Sequence, residues 1–246
     1  MQPSVLTTPP LAPTVIACLA HLGINNKQQL LSVGAEKAFL LLKASGLTVT
    51  RSVLWQLWAC AHDCSLQDID NDLKKQLCAR VAAHPPVRIF PAIKEMNAFM
   101  SAAIIEAKLA MAQNEVPVGA VIVYQGEVIA AAHNQCIENH WIGAHAELRA
   151  MQIASARLKN YRLDDCDLYT TLEPCPMCAG AIVQARISRL IIGCAEPKSG
   201  AAGSLINLFE NTHLNSHTAV LDGVMTRKCQ HLLQQFFSNK RCTTKT

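Results

Sequence analysis

Between Met100 and Met111 the apolar residues Met100, Ala103, Ile104, Ala107 and Met111 recur at helical spacing, the mark of one buried helix face. Val116-Pro117-Val118-Gly119 then breaks the pattern, so this helix is predicted to end near Asn114. Strand-like runs at Ala120 to Tyr124 and Val128 to Ala132 flank Gln125-Gly126-Glu127, which predicts a β-hairpin. Helical composition returns over Ala144 to Ala156. Cys166 to Leu172 reads as a strand, and Pro174 and Pro176 open a helix over Cys178 to Arg186. Ile187 to Cys194 and Thr218 to Val224 are further strands, and Thr226 to Phe237 a closing helix. This alternation predicts an α/β fold, a three-layer α/β/α sandwich with a mixed sheet.

The first ninety residues follow another rhythm. Leu19 to Ile24, Gln28 to Ser32, Ala35 to Ser45, Thr50 to Asp63 and Leu66 to Val81 read as short helices punctuated by Gly23, Gly34 and Gly46. Three prolines at positions 85, 86 and 91 cannot continue a helix and favour extended chain. The expected organisation is a flexible tail over residues 1–13, a small all-α domain over 14–84, a Pro-rich linker over 85–92 and the α/β domain over 93–246.

Half of the 246 residues are apolar and 16% are charged, the composition of a globular protein rather than a disordered one. Apolar stretches are interrupted by Lys, Asp, Gln or Gly before they reach membrane-spanning length, so no transmembrane helix is predicted. Eleven cysteines are an odd number in a chain too long for a disulfide-stapled mini-fold, and no signal peptide is read ahead of them. A reducing cytoplasm is expected. Residues 1–90 hold eight Lys and Arg against five Asp and Glu, and the remainder 14 against 13. The asymmetry is local: beyond Asp222 come Arg227, Lys228, Lys240, Arg241 and Lys245 and no acid. Such a basic edge suits phosphate contact, or is simply a solvated helix end.

The chemistry is concentrated in two fragments thirty positions apart, His145-Ala146-Glu147 and Glu173-Pro174-Cys175-Pro176-Met177-Cys178. One imidazole and two thiolates supply three ligands to a tetrahedral zinc and leave a fourth position for water, as catalytic zinc requires. His145, Cys175 and Cys178 are therefore the expected ligands of one Zn2+ per subunit, and Glu147 the proton carrier. A structural zinc would need a fourth ligand, and the nearest thiols, Cys166 and Cys194, sit singly in apolar strands where cysteine is usually a small hydrophobe. His-x-Glu followed by Pro-Cys-x-x-Cys is the signature of the zinc nucleobase deaminases. Both ligand groups are predicted at helix N-termini, where free N–H groups and the helix dipole favour negative charge.

Further blocks carry a resemblance. Asn114-Glu115-Val116-Pro117-Val118-Gly119-Ala120-Val121, Asn134 eleven residues before His145, Thr171-Leu172-Glu173-Pro174-Cys175, Met177-Cys178-Ala179-Gly180-Ala181, Lys198-Ser199-Gly200-Ala201-Ala202-Gly203-Ser204 and Phe236-Phe237 occur in an order that resembles the TadA family of bacterial tRNA-specific adenosine deaminases, within the cytidine deaminase-like superfamily. The resemblance spans residues 97–241. It implies hydrolytic conversion of adenosine to inosine at the wobble position of a tRNA, chiefly an arginine tRNA, by a homodimer that grips the anticodon arm. Under that resemblance Glu147 takes a proton from the zinc water, delivers it to purine N1 and then protonates the departing amine. Asn134, Glu196, Lys198, Phe237, Lys240 and Arg241 are the implied substrate contacts. Asn134 has a second reading as a strand-end residue capping a turn, and one ring of the Phe pair is expected to be buried.

Three positions depart from the family pattern. Trp141-Ile142-Gly143 replaces the usual Asp-Pro-Thr before the metal histidine, Glu196 stands for Asp, and Ser238 stands for Arg. In the first ninety residues, Leu31-Ser32-Val33-Gly34-Ala35-Glu36-Lys37, Gly46 and Leu54-Trp55 resemble the C-terminal domain of TfoX competence regulators, a helical module whose partner the residues do not identify. Cys60-Ala61-His62-Asp63-Cys64 is not read as a metal site, because on a helix His62 points away from the face shared by the cysteines. Two other functions remain open on sequence: a zinc deaminase of a free base, nucleoside or pyrimidine intermediate, and a nucleic-acid-binding regulator that keeps the deaminase fold as a scaffold.

Overall fold

The computed structural model describes residues 4–85, 87–211 and 213–243, with side chains through Lys240. The chain divides into two compact units, one ending at Ile89 and one beginning at Phe90.

The first unit is helical: α1 (Pro13–His21), α2 (Lys27–Val33), α3 (Ala35–Ala44), α4 (Arg51–Ala61), a 3-10 turn (Leu66–Asp68) and α5 (Asn71–Ala83). Its core gathers Leu19, Leu30, Phe39, Leu42, Leu54, Leu57 and Leu77. Three details differ from expectation. Leu6 and Leu11 are buried in that core, and the backbone of Lys27 donates to Ser4, so the described part of the expected tail is packed. The expected helix from Leu66 to Val81 is two elements, because Ser65 caps the 3-10 turn and the Asp70 carboxylate accepts from Leu73 N–H at 2.7 Å to start α5 afresh. The first helix also starts earlier than predicted, with Pro13 in its opening turn.

The second unit contains α6 (Ile93–Ala112), β1 (Gly119–Tyr124), β2 (Glu127–His133), α7 (Ala146–Leu158), β3 (Cys166–Leu172), α8 (Pro176–Gln184), β4 (Arg189–Cys194), β5 (Ala219–Leu221) and α9 (Thr226–Thr243). The sheet runs β2-β1-β3-β4-β5, antiparallel at β2/β1 and β1/β3 and parallel at β3/β4 and β4/β5. Gln125 and Gly126 both have positive φ, the two-residue hairpin turn whose twist matches its strands. The last strand is shorter than predicted. It pairs with β4 only from Ala219 to Leu221, and the chain then turns through Gly223 at φ 86°.

Both faces of the sheet are covered, which is why its central strands read as continuous apolar runs. Ala120, Ile122, Leu168, Leu190 and Ile192 pack under Ala146, Ala150 and Ala154 of α7 and Ile182 of α8. Val121, Val123, Tyr169 and Ile191 face Met96, Met100, Ala103 and Ala107 of α6 and Cys229 and Leu232 of α9. At the start of β1, α6 crosses so closely that a Cβ on Gly119 would lie 2.1 Å from the Ala103 carbonyl oxygen. Only glycine fits there, and the contact sets where β1 begins. The observed architecture is the mixed-sheet α/β/α fold predicted from sequence, preceded by a helical region.

Candidate metal centre and its pocket

The parallel strands β3 and β4 end at Leu172 and Cys194, and their C-terminal edge is where a crevice forms in such sheets. A pocket of about 180 Å3 opens there, lined among others by Val116, Asn134, His145, Glu147, Glu173, Cys175, Glu196 and Ser199.

Local sequence explains how the sulfur and nitrogen donors converge. Cys175 is extended (φ −70°, ψ 169°) and serves as the N-cap of α8, with Pro176 beginning the helix. Cys178 then falls in the first turn, fully buried. His145 is the N-cap of α7 (φ −69°, ψ 149°), one position before the helix rather than inside its first turn. Its Nδ1 lies 3.7 Å from Cys175 Sγ and 3.4 Å from Cys178 Sγ. The three donor atoms all lie within 4.8 Å of one another, so the group could hold a metal ion. One imidazole and two thiols form a donor set that suits zinc, and three protein donors leave room for a further ligand.

Electrostatics in the group are asymmetric. A hydrogen bond from the Cys178 thiol, opposed by burial and helped by His145, holds Cys175 down at about 4. The same bond, with burial and the nearby Glu147, pushes Cys178 upward. The bond to Cys175 raises His145. Glu147 is 4% exposed, in the first turn of α7. Burial pushes its carboxyl up to about 7, against the pull of its own backbone N–H and of His145. A carboxyl poised near neutrality in a pocket can hold a proton or give it up, which is what general acid–base work requires.

Asn134 and Glu196 both line the pocket. Asn134 Oδ1 accepts from Ala146 N–H at 2.9 Å, capping the first turn of α7 beside His145. Its amide nitrogen is the polar group that remains for a ligand, so the capping and contact readings apply to different atoms of one side chain. Glu196 Oε1 accepts from Lys198 N–H at 2.9 Å. Lys198 itself, Phe237 and Lys240 do not line this pocket. Phe236 is the buried ring of the pair and Phe237 the half-exposed one, and Lys240 Nζ sits 4.6 Å above the Phe236 ring. The Arg241 side chain lies outside the described residues.

Two buried acids were legible in the sequence only as members of motif blocks. Glu115, 1% exposed, accepts from Ile137 and Glu138 N–H at 2.7 and 2.9 Å, tying down the loop that leads to His145. Glu173 accepts from the backbone N–H groups of Glu196, Ala202 and Ser204 and from the Ser204 hydroxyl. Burial pushes the Glu173 carboxyl up, but the Ser204 hydroxyl and the three N–H donors outweigh it and hold it below the usual carboxylate range. An acid inside an apolar run was the available signal, since a buried charge needs donors around it. The Trp141 and Ile142 side chains on the Glu115-tethered loop are exposed.

Residues 94–241 match the MafB19-like deaminase family and residues 1–81 the TfoX C-terminal domain. A tRNA-specific adenosine deaminase of Bacillus subtilis is 43% identical over 143 residues, which are 58% of this chain and 89% of that protein. The tRNA-specific adenosine deaminase of Agrobacterium fabrum is 42% identical over 147 residues, 60% of this chain and 97% of that protein. A solved structure from a study of A-to-I editing by tRNA:A34 deaminases at the wobble position superposes with a TM-score of 0.54 at 40% identity, covering 55% of this chain and 99% of that one.

Proposed function

The chain belongs to the MafB19-like deaminase family and to the tRNA-specific adenosine deaminases, hydrolases of C–N bonds, and from that premise we propose that it converts adenosine to inosine at the first anticodon position of a tRNA, an arginine tRNA foremost, using one zinc ion per subunit. The reaction consumes water and releases ammonia. The observation that carries the reading is the convergence of the His145, Cys175 and Cys178 donor atoms beside a pocket lined by His145, Cys175 and the buried Glu147.

In this reading His145 and the Cys175 and Cys178 thiolates would hold a zinc ion, which would supply the Lewis acidity that makes a water nucleophilic at neutral pH. Glu147 takes one proton from the attacking water and delivers it to purine N1 as the water oxygen bonds to C6. It then takes the second proton from that C6 hydroxyl and gives it to the amine, so that the C6–N bond breaks, the C6 carbonyl forms and ammonia leaves. The Asn134 amide nitrogen and Glu196 face the nucleoside in the pocket, and Phe237, Lys198, Lys240 and Arg241 are assigned to the surrounding RNA. Adenosine must leave its stack to reach such a pocket, which an unpaired anticodon loop permits at little cost. The working unit is a cytoplasmic homodimer. The domain division is a helical module that includes the packed segment ahead of α1 and runs to about residue 84, a linker over 85–92 and a catalytic domain over 93–246, the module standing outside the chemical step. Among the described residues no helix is long and apolar enough to cross a membrane.

The purified protein is tested against transcripts of every tRNA whose anticodon begins with A, sequenced for inosine, beside free adenosine, adenine, guanine and cytidine. Inosine at the wobble position, with negligible turnover of the small compounds, is expected. Turnover of a free base or nucleoside with untouched tRNA would replace this function by a small-molecule deaminase.

A further inference from the structure

A second feature of the catalytic unit lies in the helical layer on the sheet face opposite α7 and α8. Helices α6 and α9 share the core on that face, and between them lies an open groove of about 410 Å3 lined by Ile104, Lys108, Arg227, Lys228 and His231. His231 is four positions after Arg227 and three after Lys228, so all three project from one side of α9. Lys108, one turn after Ile104 on α6, faces them across the groove. Lys108, Arg227 and Lys228 are exposed.

Three other cations of this unit have work inside the fold. Arg149 donates to the His133 carbonyl, Arg157 to the Ile129 carbonyl, and Arg189 to the Asp167 carboxylate. The side chains of Lys108, Arg227 and Lys228 take no ion pair, hydrogen bond or ring contact among the described residues. Arg227 and Lys228 moreover occupy the first turn of α9, where a helix dipole disfavours cations, and no acid shares that turn. Folding alone gives no reason for this placement.

We propose that the groove between α6 and α9 is a phosphate-binding surface for the tRNA, with Lys108, Arg227 and Lys228 contacting the sugar–phosphate backbone away from the target adenosine. The inference rests on the tRNA reading of the pocket. A cavity of about 180 Å3 takes one nucleoside, whereas the rest of a tRNA is a polyanion that must meet the protein elsewhere. Cations without internal partners, around a concave surface floored by Ile104, can neutralise phosphates without first breaking an ion pair. Phosphate contacts of this kind set affinity and register rather than sequence.

The test is equilibrium binding of the full-length protein to an A34 tRNA transcript across a salt series, with inosine formation scored separately. Each neutralised phosphate contributes about 0.7 to 0.9 to the log–log salt slope. Lys108→Ala/Arg227→Ala/Lys228→Ala should flatten that slope by about two and raise Kd about tenfold or more at low salt. Lys108→Arg/Arg227→Lys/Lys228→Arg, which keeps every charge, should bind as the wild type does. Lys75→Ala/Lys94→Ala/Arg162→Ala removes the same charge elsewhere, and an equal loss from it would overturn the assignment. An unchanged slope in the groove variant would overturn it too, even with tRNA conversion intact. Salt-dependent binding through the groove without any inosine would instead sink the proposed function and leave the groove standing.

Discussion

Gly200 lies directly against the carboxylate of Glu173: a Cβ at position 200 would stand 2.4 Å from both Cδ and Oε2. Four donors from Glu196, Ala202 and Ser204 converge on that same carboxylate. One buried anion thus organises the segment from 196 to 204, and the missing side chain at 200 lets the backbone close over it. That segment brings Glu196 and Ser199 to the pocket. Glu173, two residues before Cys175, therefore links the segment 196–204 to the turn that carries two of the three candidate metal donors.

Gly200→Ala forces the methyl group into a carboxylate that cannot move without losing hydrogen bonds. Overpacking of this kind typically costs about 1–3 kcal/mol. A fall in Tm with zinc content preserved is expected, together with a higher KM. An unaltered Tm would show that the loop relaxes freely around Glu173.

Glu173→Gln bears on pH. The folded-state pKa of Glu173 is depressed, so its ionised form contributes stability that is fully present above the unfolded carboxylate pKa of about 4.3 and is lost as pH falls through the lower folded value. Wild type should be the more stable at neutral pH, and the two proteins should converge as the solution is acidified below about pH 4. Urea midpoints measured between neutral and acid pH check this; parallel curves would remove the charge from the explanation.

Asn134 performs a cap and, in the proposed function, a substrate contact. Asn134→Ala should lose about 1 kcal/mol with the hydrogen bond to Ala146 N–H and should also lose activity. Asn134→Asp keeps the acceptor but not the amide donor, so stability should return while kcat/KM stays low. Recovery of both would mean that the cap is the whole role.

Glu147→Ala should keep zinc and the fold yet lose activity by about 10²- to 10⁴-fold, since a proton carrier is removed but no ligand. Cys175→Ser should lose metal and activity together. Metal analysis beside single-turnover rates separates the two, and zinc loss in the Glu147 variant would reassign that carboxylate as a ligand.

The unit beginning at Phe90 has its own sheet and covers both of its faces with its own helices. A fragment starting near Pro91 is expected to fold, bind zinc and deaminate an anticodon stem-loop. A folded, zinc-loaded but inactive fragment would make the helical module part of the catalytic apparatus.

Sequence by itself determined the features that depend on local chemistry and period. The helix–strand alternation, the hairpin at Gln125-Gly126 and the exact span of Cys166–Leu172 follow from side-chain periodicity and turn residues. The ligand candidates followed from residue type and spacing; Pro176 is tolerated in the opening turn of a helix, and the structure starts α8 there with Cys178 in its first turn. Tertiary structure alone decided what lies far apart in the chain. The role of Glu173 exists only because its donors, 23 to 31 residues later, fold back onto it, and Glu115 depends likewise on Ile137 and Glu138. The burial of Leu6 and Leu11 in the helical core, against a composition that reads as a loose tail, has the same origin. Periodicity reports which face of an element is apolar, but a buried charge or an apolar residue in a loop is placed by partners that no local window contains.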